Sequence, residues 1–148
     1  MTNRPVALVT GATRGIGRAI AVELSSTHRI LVGGRDAARA RELVAELDDA
    51  APFVCDLADE DAVAAACAGI GRLDVLVHSA GIGRSNDIGL ASRALWREVF
   101  ETNVFAVADL TRLLLPALEA ARGIVVAINS GAGFFSSPGG GVYAGSKF

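Results

Sequence analysis

Short apolar runs alternate with segments of helical periodicity along this chain. Val6–Val9 is a continuous apolar run, which is typical of a strand covered on both faces of a sheet. Between residues 16 and 24, the apolar positions 16, 19, 20 and 24 follow the spacing of one helix face. Strands that alternate with helices pair in parallel through right-handed crossovers. The pattern therefore predicts an α/β fold built on a doubly wound parallel sheet.

The same alternation continues through the rest of the chain. Further strands are predicted over residues 29–33, 53–55, 73–78 and 124–128. Asp36 is predicted to cap a helix, and other helices are expected from Asp59 to Cys67, over residues 90–100 and over residues 102–121. Pro116 is expected to kink the last of these or to end its regular part. Residues 131–141 are predicted to form a loop, after which a helix begins at Val142.

Length and charge restrict the class of protein. A chain of 148 residues with 51% hydrophobic residues predicts a single domain over residues 1–148. A net charge of −2 argues against nucleic acid or an anionic membrane as the main partner, and no apolar run is long enough to span a bilayer. Cys55 and Cys67 lack metal-ligand spacing, so we expect no metal and two reduced thiols in a cytoplasmic protein.

A glycine-rich turn follows the first strand and opens the first helix. Glycines allow a tight turn and let a phosphate approach the N–H groups of the helix N-terminus. No Gly-Lys-Ser/Thr follows, so the segment is not a P-loop. The alternative is a purely structural strand-to-helix turn. The residues predicted to bind a dinucleotide here are Gly11, Thr13, Arg14, Gly15, Ile16 and Gly17.

Arg35 stands just after the second predicted strand, where the adenosine ribose of a bound dinucleotide would lie. A guanidinium at this place suits a 2′-phosphate, which favours NADP(H) over NAD(H), and Arg14 could contact the same phosphate. Asp36 could repel that phosphate, but we interpret it as the helix cap. The alternative is that both arginines are ordinary surface residues.

The ends of the third and fourth strands supply the rest of the predicted cofactor site. Asp56, with Leu57 beside it, could accept a hydrogen bond from an adenine amino group, or it could be a turn aspartate. The small residues Ser79, Ala80 and Gly81 would let a nicotinamide ribose lie close to the backbone. We interpret His78 as a hydrogen-bonded structural histidine.

The only tyrosine and the only lysine of the chain, Tyr143 and Lys147, are four residues apart. On a helix this spacing places both side chains on one face. A nearby ammonium favours the charged form of a phenol, so Tyr143 could pass a proton to a ketone or take one from an alcohol as hydride moves. Ser130 ends the fifth predicted strand beside them and could hold the substrate oxygen.

With these motifs in order, the chain resembles the short-chain dehydrogenase/reductase family over essentially its whole length. The motifs that carry the resemblance are the Thr-Gly-x-x-x-Gly-x-Gly turn at residues 10–17, Asp56, the segment 78–81, Asn103, Ser130, and the Tyr-x-x-x-Lys pair Tyr143 and Lys147. One departure is that His78 and Ser79 replace the family's usual Asn-Asn, which removes amide groups that brace the backbone.

The resemblance implies roles for the site residues. Tyr143 would be the acid/base, Lys147 would hold the nicotinamide ribose and support the tyrosine, and Ser130 would orient the substrate. Asn103 would position a water that joins Lys147 to bulk solvent, although its position also suits a residue at the start of a helix. The expected reaction is the NADP(H)-dependent interconversion of a small-molecule carbonyl and an alcohol.

The resemblance also implies a Rossmann-like three-layer α/β/α fold with strand order 3-2-1-4-5, and a homo-oligomer, dimer or tetramer. The family's domain continues past its Tyr-x-x-x-Lys helix, so we expect the protein to extend beyond Phe148 with the C-terminal strands that this chain lacks. The competing hypothesis is a non-enzymatic dinucleotide-binding or interaction protein. Phe134 and Phe135 could form an apolar substrate wall, or they could be core or oligomer contacts. Trp96 is expected to serve packing or subunit contact.

Overall fold

A computed structural model describes residues 4–84, 87–135 and 137–148. Its centre is a five-stranded sheet with the order β3-β2-β1-β4-β5, in which every pair of neighbouring strands is parallel. This confirms the predicted doubly wound fold and its strand order. The strands are β1 Val6–Val9, β2 Arg29–Gly34, β3 Ala50–Val54, β4 Val75–His78 and β5 Ile124–Ala127.

Six α-helices connect or follow the strands in the described residues. They are α1 Gly15–Leu24, α2 Ala37–Glu46, α3 Glu60–Cys67, α4 Arg93–Phe100, α5 Ala106–Ala121 and α6 Gly141–Gly145. A π-helical turn, Glu101–Phe105, joins α4 to α5, and short 3₁₀ turns lie at Ile88–Leu90 and Gly131–Gly133. Asp36 caps α2 as predicted, because its carboxylate accepts from the backbone N–H groups of Ala38 and Arg39.

Helices cover both faces of the sheet and create two hydrophobic cores. Successive residues of a strand point to opposite faces, so Ala7 and Val9 of β1 enter one core and Leu8 enters the other. The first core includes Ala21 of α1 and Leu43 of α2, whereas the second includes residues 63 and 67 of α3 and residues 110, 114, 117 and 118 of α5. The molecule is therefore a three-layer α/β/α domain, as expected.

Strand β3 begins three residues earlier than predicted and ends at Val54, so Cys55 follows the strand. Pro52 lies in its middle, paired with Val32 of β2. A proline lacks the N–H group that a central strand needs. β3 is at the edge of the sheet and bonds only to β2, so that missing donor costs no ladder bond there.

The long helical region also differs from the prediction at three points. Helix α4 begins at Arg93, after Ser92 caps it, and not at residue 90. The boundary expected near residue 102 is a π-helical turn within one continuous helical segment. Of the two outcomes expected for Pro116, an end of the regular helix is wrong, because α5 continues to Ala121 while Ala117 and Leu118 pack into the core. A kink at Pro116 stays a prediction. Among the described residues, no helix has both the length and the apolar content that crossing a bilayer requires.

Candidate active site

A cavity of about 620 Å³ lies at the carboxyl ends of the strands. Parallel sheets bind ligands at this edge, near the point where the strand order reverses between β1 and β4. Apart from Asn103, every residue that the sequence predicted for the site lines it: Gly11, Thr13, Arg14, Gly15, Ile16, Gly17, Arg35, Asp56, Leu57, Ser79, Ala80, Gly81, Ser130, Tyr143 and Lys147. The fold thus brings residues from five strand ends to one place.

The glycine turn is held against the loop that follows β4. Gly11 has φ +64°, and a Cβ there would lie 2.8 Å from the Ala80 Cα. A Cβ on Gly17 would lie 2.4 Å from the carbonyl oxygen of Gly11. Both positions therefore require glycine. Arg14 at the N-cap of α1 makes no capping hydrogen bond with its side chain, so the first N–H groups of α1 face the cavity without a side-chain cap.

Thr10 braces the loop after β4, a role that the sequence analysis did not assign. Its buried Oγ1 accepts hydrogen bonds from the backbone N–H groups of Ser79 at 3.0 Å and Ala80 at 3.1 Å. The same hydroxyl donates to the carbonyl of Val77 at 3.3 Å. These three hydrogen bonds hold the loop in place, although His78 and Ser79 lack the side-chain amides of the family's usual Asn-Asn. The available signal was a hydroxyl residue at the carboxyl end of the first strand, directly before the glycine turn.

His78 is a buried structural residue, as interpreted from the sequence. Its Nε2 lies 2.8 Å from Thr111 Oγ1. That hydroxyl donates its only proton to the carbonyl of Val107 at 2.7 Å, so it must accept from the Nε2–H of a neutral imidazole. Burial lowers the pKa of His78 to about 4. The imidazole is therefore neutral near neutral pH. It faces α5 and does not line the cavity.

Two arginines lie at the outer end of the cavity. Arg14 and Arg35 are exposed, and neither forms an ion pair with a carboxylate in the described part of the chain. The carboxylate of Asp36 is engaged elsewhere, since it caps α2 and lies 3.4 Å from the Nε of Arg39. Among the described residues, the cavity end next to β2 therefore presents two guanidinium groups without an ion-pair partner.

Asp56 and Cys55 follow β3 on the wall of the cavity. The Asp56 Oδ1 accepts from the N–H of Ala58 at 3.0 Å, so it forms a turn and still lines the cavity with its remaining oxygen positions. Burial raises the pKa of the Cys55 thiol to about 11, with the charges of Asp56 and Asp59 adding to the effect. Cys55 and Cys67 are free and buried, as the sequence predicted, and a protonated buried thiol is a poor nucleophile.

Tyr143 and Lys147 both face the cavity from α6 and the turn after it. The Lys147 Nζ lies 5.8 Å from the centroid of the Tyr143 ring. The Tyr143 ring also faces the loop after β4, because a Cβ on Gly83 would lie 3.8 Å from its Cδ2. Ser130 follows β5, and its Oγ accepts from the N–H of Ala132 at 3.2 Å, which leaves the hydroxyl proton available to a ligand.

Asn103 lies in the π-helical turn and not at the start of a helix. Its Oδ1 accepts from the N–H of Ile82, and its Nδ2 donates to the Ile82 carbonyl and to Ser146 Oγ, each at 2.9 Å. Asn103 is buried beneath the cavity wall, and a Cβ on Gly81 would meet both its Oδ1 at 3.4 Å and the Lys147 Nζ at 3.8 Å. π-Helical turns are rare and frequent at functional sites. Ser146 was not predicted as a site residue, because it carries no local signal beyond its place before Lys147.

Phe134 and Phe135 differ from Trp96 in how far they are exposed to solvent. Phe134 and Phe135 are 83% and 71% exposed, so neither belongs to the core. Trp96 of α4 packs within the chain, since its ring is tilted on Phe100 and a Cβ on Gly145 of α6 would lie 3.0 Å from its Cζ3. The expectation that Trp96 serves packing is therefore confirmed.

Comparison with known proteins agrees with this geometry. The family described as short chain dehydrogenase matches residues 5–148. A short-chain dehydrogenase of Penicillium roqueforti, named anuI, is 38% identical over 130 residues, which are 80% of this chain and 52% of that protein. A serine 3-dehydrogenase of Agrobacterium fabrum is 36% identical over 148 residues, 95% of this chain and 59% of that protein.

Solved structures show the same likeness. A metagenomic short-chain oxidoreductase in complex with NADP superposes with a TM-score of 0.87 at 39% identity, covering 97% of this chain and 69% of that one. A short-chain dehydrogenase from Streptomyces avermitilis superposes with a TM-score of 0.91 at 34% identity, covering 98% of this chain and 56% of that one. The chain thus spans between half and two thirds of the length of most of these relatives.

Proposed function

The chain belongs to the short-chain dehydrogenase family, and we propose that it forms the cofactor-binding and proton-transfer part of an NADP(H)-dependent oxidoreductase. The proposed reaction interconverts a ketone and a secondary alcohol of a small molecule. The observation that carries this proposal is that Tyr143, Lys147 and Ser130 line the same cavity as the glycine turn. A proton donor and a dinucleotide site in one cavity are what a hydride transfer to a carbonyl requires.

The residues of the cavity fit a dinucleotide. The absence of side chains at Gly11 and Gly17 keeps the turn close to the loop after β4, so the backbone of α1 can approach a pyrophosphate. The small residues Ser79, Ala80 and Gly81 would lie along a nicotinamide ribose, and Asp56 would face the adenine. When bound, NADP(H) would supply the hydride.

The side chains of α6 and β5 would supply the proton chemistry. The Tyr143 hydroxyl would give its proton to the substrate oxygen during reduction and take it back during oxidation. The Lys147 ammonium beside the ring would stabilise the phenolate that remains and would hold the nicotinamide ribose. The unbonded hydroxyl hydrogen of Ser130 would donate a hydrogen bond to the same substrate oxygen. Both side-chain N–H groups of Asn103 are already bonded, so Asn103 would support a water beside Lys147 only as an acceptor.

The preference for NADP(H) rests on the charge at the end of β2. Arg14 and Arg35 have no carboxylate partner in the described residues, whereas Asp36 is occupied by the cap of α2 and by Arg39. A 2′-phosphate there would gain charge-assisted hydrogen bonds that the 2′-hydroxyl of NAD cannot make with equal strength. The metagenomic short-chain oxidoreductase was solved in complex with NADP, which supports this part of the proposal.

The same proposal includes the domain organisation, the cellular location and the oligomeric state of the protein. Residues 1–148 would form one dinucleotide-binding domain, and the protein would work in the cytoplasm as a homo-oligomer. Light scattering of the purified protein measures the oligomeric state directly, and a monomer at all concentrations would contradict that part.

The function is tested by following NADPH absorbance with a panel of ketones, for the parent chain and for Tyr143→Phe. We expect turnover by the parent and a decrease in kcat of about 10²- to 10⁴-fold in the variant, because the general acid is lost. NADPH affinity, measured by titration of cofactor fluorescence, serves as the control and should change little. Full turnover by Tyr143→Phe would remove Tyr143 from the mechanism. Binding of NADPH by the parent without turnover of any substrate would instead favour a non-enzymatic dinucleotide-binding protein.

A further inference from the structure

Ser146 lies between the two residues that the proposed reaction depends on, yet it points away from the cavity into the protein. Its side chain is buried, with 8% of the residue exposed. It follows α6, which has only five residues. A helix this short does not hold its shape by its own hydrogen bonds, so contacts with the rest of the fold must position Tyr143 and Lys147.

The Ser146 hydroxyl makes two hydrogen bonds whose directions are determined by their partners. It donates to the carbonyl of Tyr143 at 2.7 Å and accepts from the Asn103 Nδ2 at 2.9 Å. The orientation of the Asn103 amide is also determined, because a backbone N–H of Ile82 can only donate to Oδ1. The proton and one acceptor position of the hydroxyl are therefore both used.

These bonds connect three separate parts of the chain. Asn103 belongs to the π-helical turn, Ile82 to the loop after β4, and Tyr143 to α6. On another side of α6, Trp96 packs so closely on Gly145 that a Cβ there would lie 3.0 Å from the ring. Helix α6 is thus fixed by a hydrogen-bonded link at Ser146 and by ring packing at Gly145.

We propose that Ser146 is a positioning residue, whose hydroxyl joins Asn103 to the Tyr143 carbonyl and thereby sets the place of Tyr143 and Lys147 over the cofactor site. The catalytic part of this inference rests on the proposed function. Without the hydroxyl, Asn103 keeps its two bonds to Ile82 but loses its bond to α6. The single turn of α6 is then free to shift, and the phenol moves relative to the nicotinamide position.

The first test compares Ser146→Ala with the parent in steady-state kinetics and in NADPH binding. We expect kcat to fall about 10- to 100-fold, since a displacement of about 1 Å of a reacting group has an effect of this size. NADPH binding should weaken less than kcat falls, because Lys147 would shift at the ribose whereas the glycine turn does not contact Ser146. Ser25→Ala is the matched control: Ser25 also follows a helix and donates to the carbonyl three residues earlier at 2.7 Å, but far from the cavity.

The second test does not depend on turnover. Tyr143 is the only tyrosine, so labelled tyrosine gives the nuclear magnetic resonance signals of that ring alone. In the parent and in Ser25→Ala, we expect a nuclear Overhauser contact between the Tyr143 ring and Gly83, which face each other across the cleft. In Ser146→Ala this contact should be lost or strongly weakened.

The outcomes separate this inference from the proposed function. If the parent turns over no ketone but the contact disappears in Ser146→Ala, the proposed function fails and the positioning role stands. An unchanged contact, or a kcat within about twofold of an active parent, would overturn the role of Ser146. If Ser146→Ala does not fold, Ser146→Cys keeps a similar volume with a weak hydrogen-bonding group and should lose the contact as well; a parent-like contact in that variant also overturns the inference.

Discussion

Acid should destabilise this protein through a buried histidine that lies next to the proposed cofactor site. His78 is 5% exposed, and its Nε2–H donates to Thr111. An added proton would have to reside on Nδ1, for which no hydrogen-bond acceptor is found among the described residues. Burial therefore lowers the pKa of His78 from 6.5 to about 4. Replacing His78 with Gln, whose amide can reach Thr111, removes the titrating group.

The sign and size of the effect follow from this pKa. Above pH 6.5 the imidazole is neutral in both the folded and the unfolded chain, so its contribution to stability is complete. Between pH 6.5 and pH 4 the unfolded chain binds a proton that the folded chain rejects, so the free energy of unfolding decreases as the pH falls. One pKa unit corresponds to about 1.4 kcal/mol, so the total loss by pH 4 is about 3 kcal/mol.

Urea unfolding measures this loss, with the fluorescence of Trp96, the only tryptophan, as the signal. The parent and His78→Gln are compared at neutral pH and at several values down to pH 4. Carboxylates contribute equally to the acid response of both proteins, so the difference between the two curves isolates His78. We expect the parent to lose about 3 kcal/mol more than the variant. Parallel curves for parent and variant would refute the reasoning, because they would mean that His78 accepts a proton in the folded state.

Two further predictions concern the cofactor site. Arg35→Asp should weaken NADPH binding relative to NADH by about 10- to 100-fold, since one charge-assisted hydrogen bond is lost; fluorescence titration with both cofactors measures the ratio, Arg41→Asp on α2 is the control, and an unchanged ratio contradicts the assignment. Gly17→Ala should lower the free energy of unfolding by about 1–3 kcal/mol and weaken NADPH binding, because the added Cβ would lie 2.4 Å from the carbonyl oxygen of Gly11. In Gly69→Ala the Cβ would meet no atom within 4 Å, so a similar loss in that control would show that the contact at Gly17 is not the cause.

Much of the site is predictable because its signals are local. The run Val6–Val9, the glycine turn and the spacing of Tyr143 and Lys147 are each contained within a few residues. Parallel pairing then requires that the carboxyl ends of the strands meet at one edge, so Arg35, Asp56, Ser79 and Ser130 could be assigned to one site before any distance was known. The family resemblance adds the roles of these residues, which spacing by itself does not supply.

Other features depend on contacts between residues that are far apart in the chain. Thr10 bonds to Ser79 and Ala80 across 69 and 70 positions, and Asn103 bonds to Ser146 across 43. The early start of β3 is allowed only because Pro52 lies at the sheet edge.

Local propensity thus determined where this chain turns and which segments form strands and helices, and it placed the candidate site residues at the carboxyl ends of the strands. Tertiary packing alone decided that Asn103 lies in a π-helical turn, that Trp96 covers Gly145, and that a buried serine ties α6 to its neighbours. The physical reason is that a hydroxyl or an amide can satisfy many different partners. Only the folded chain, in which each buried polar group must find a partner, selects one of them.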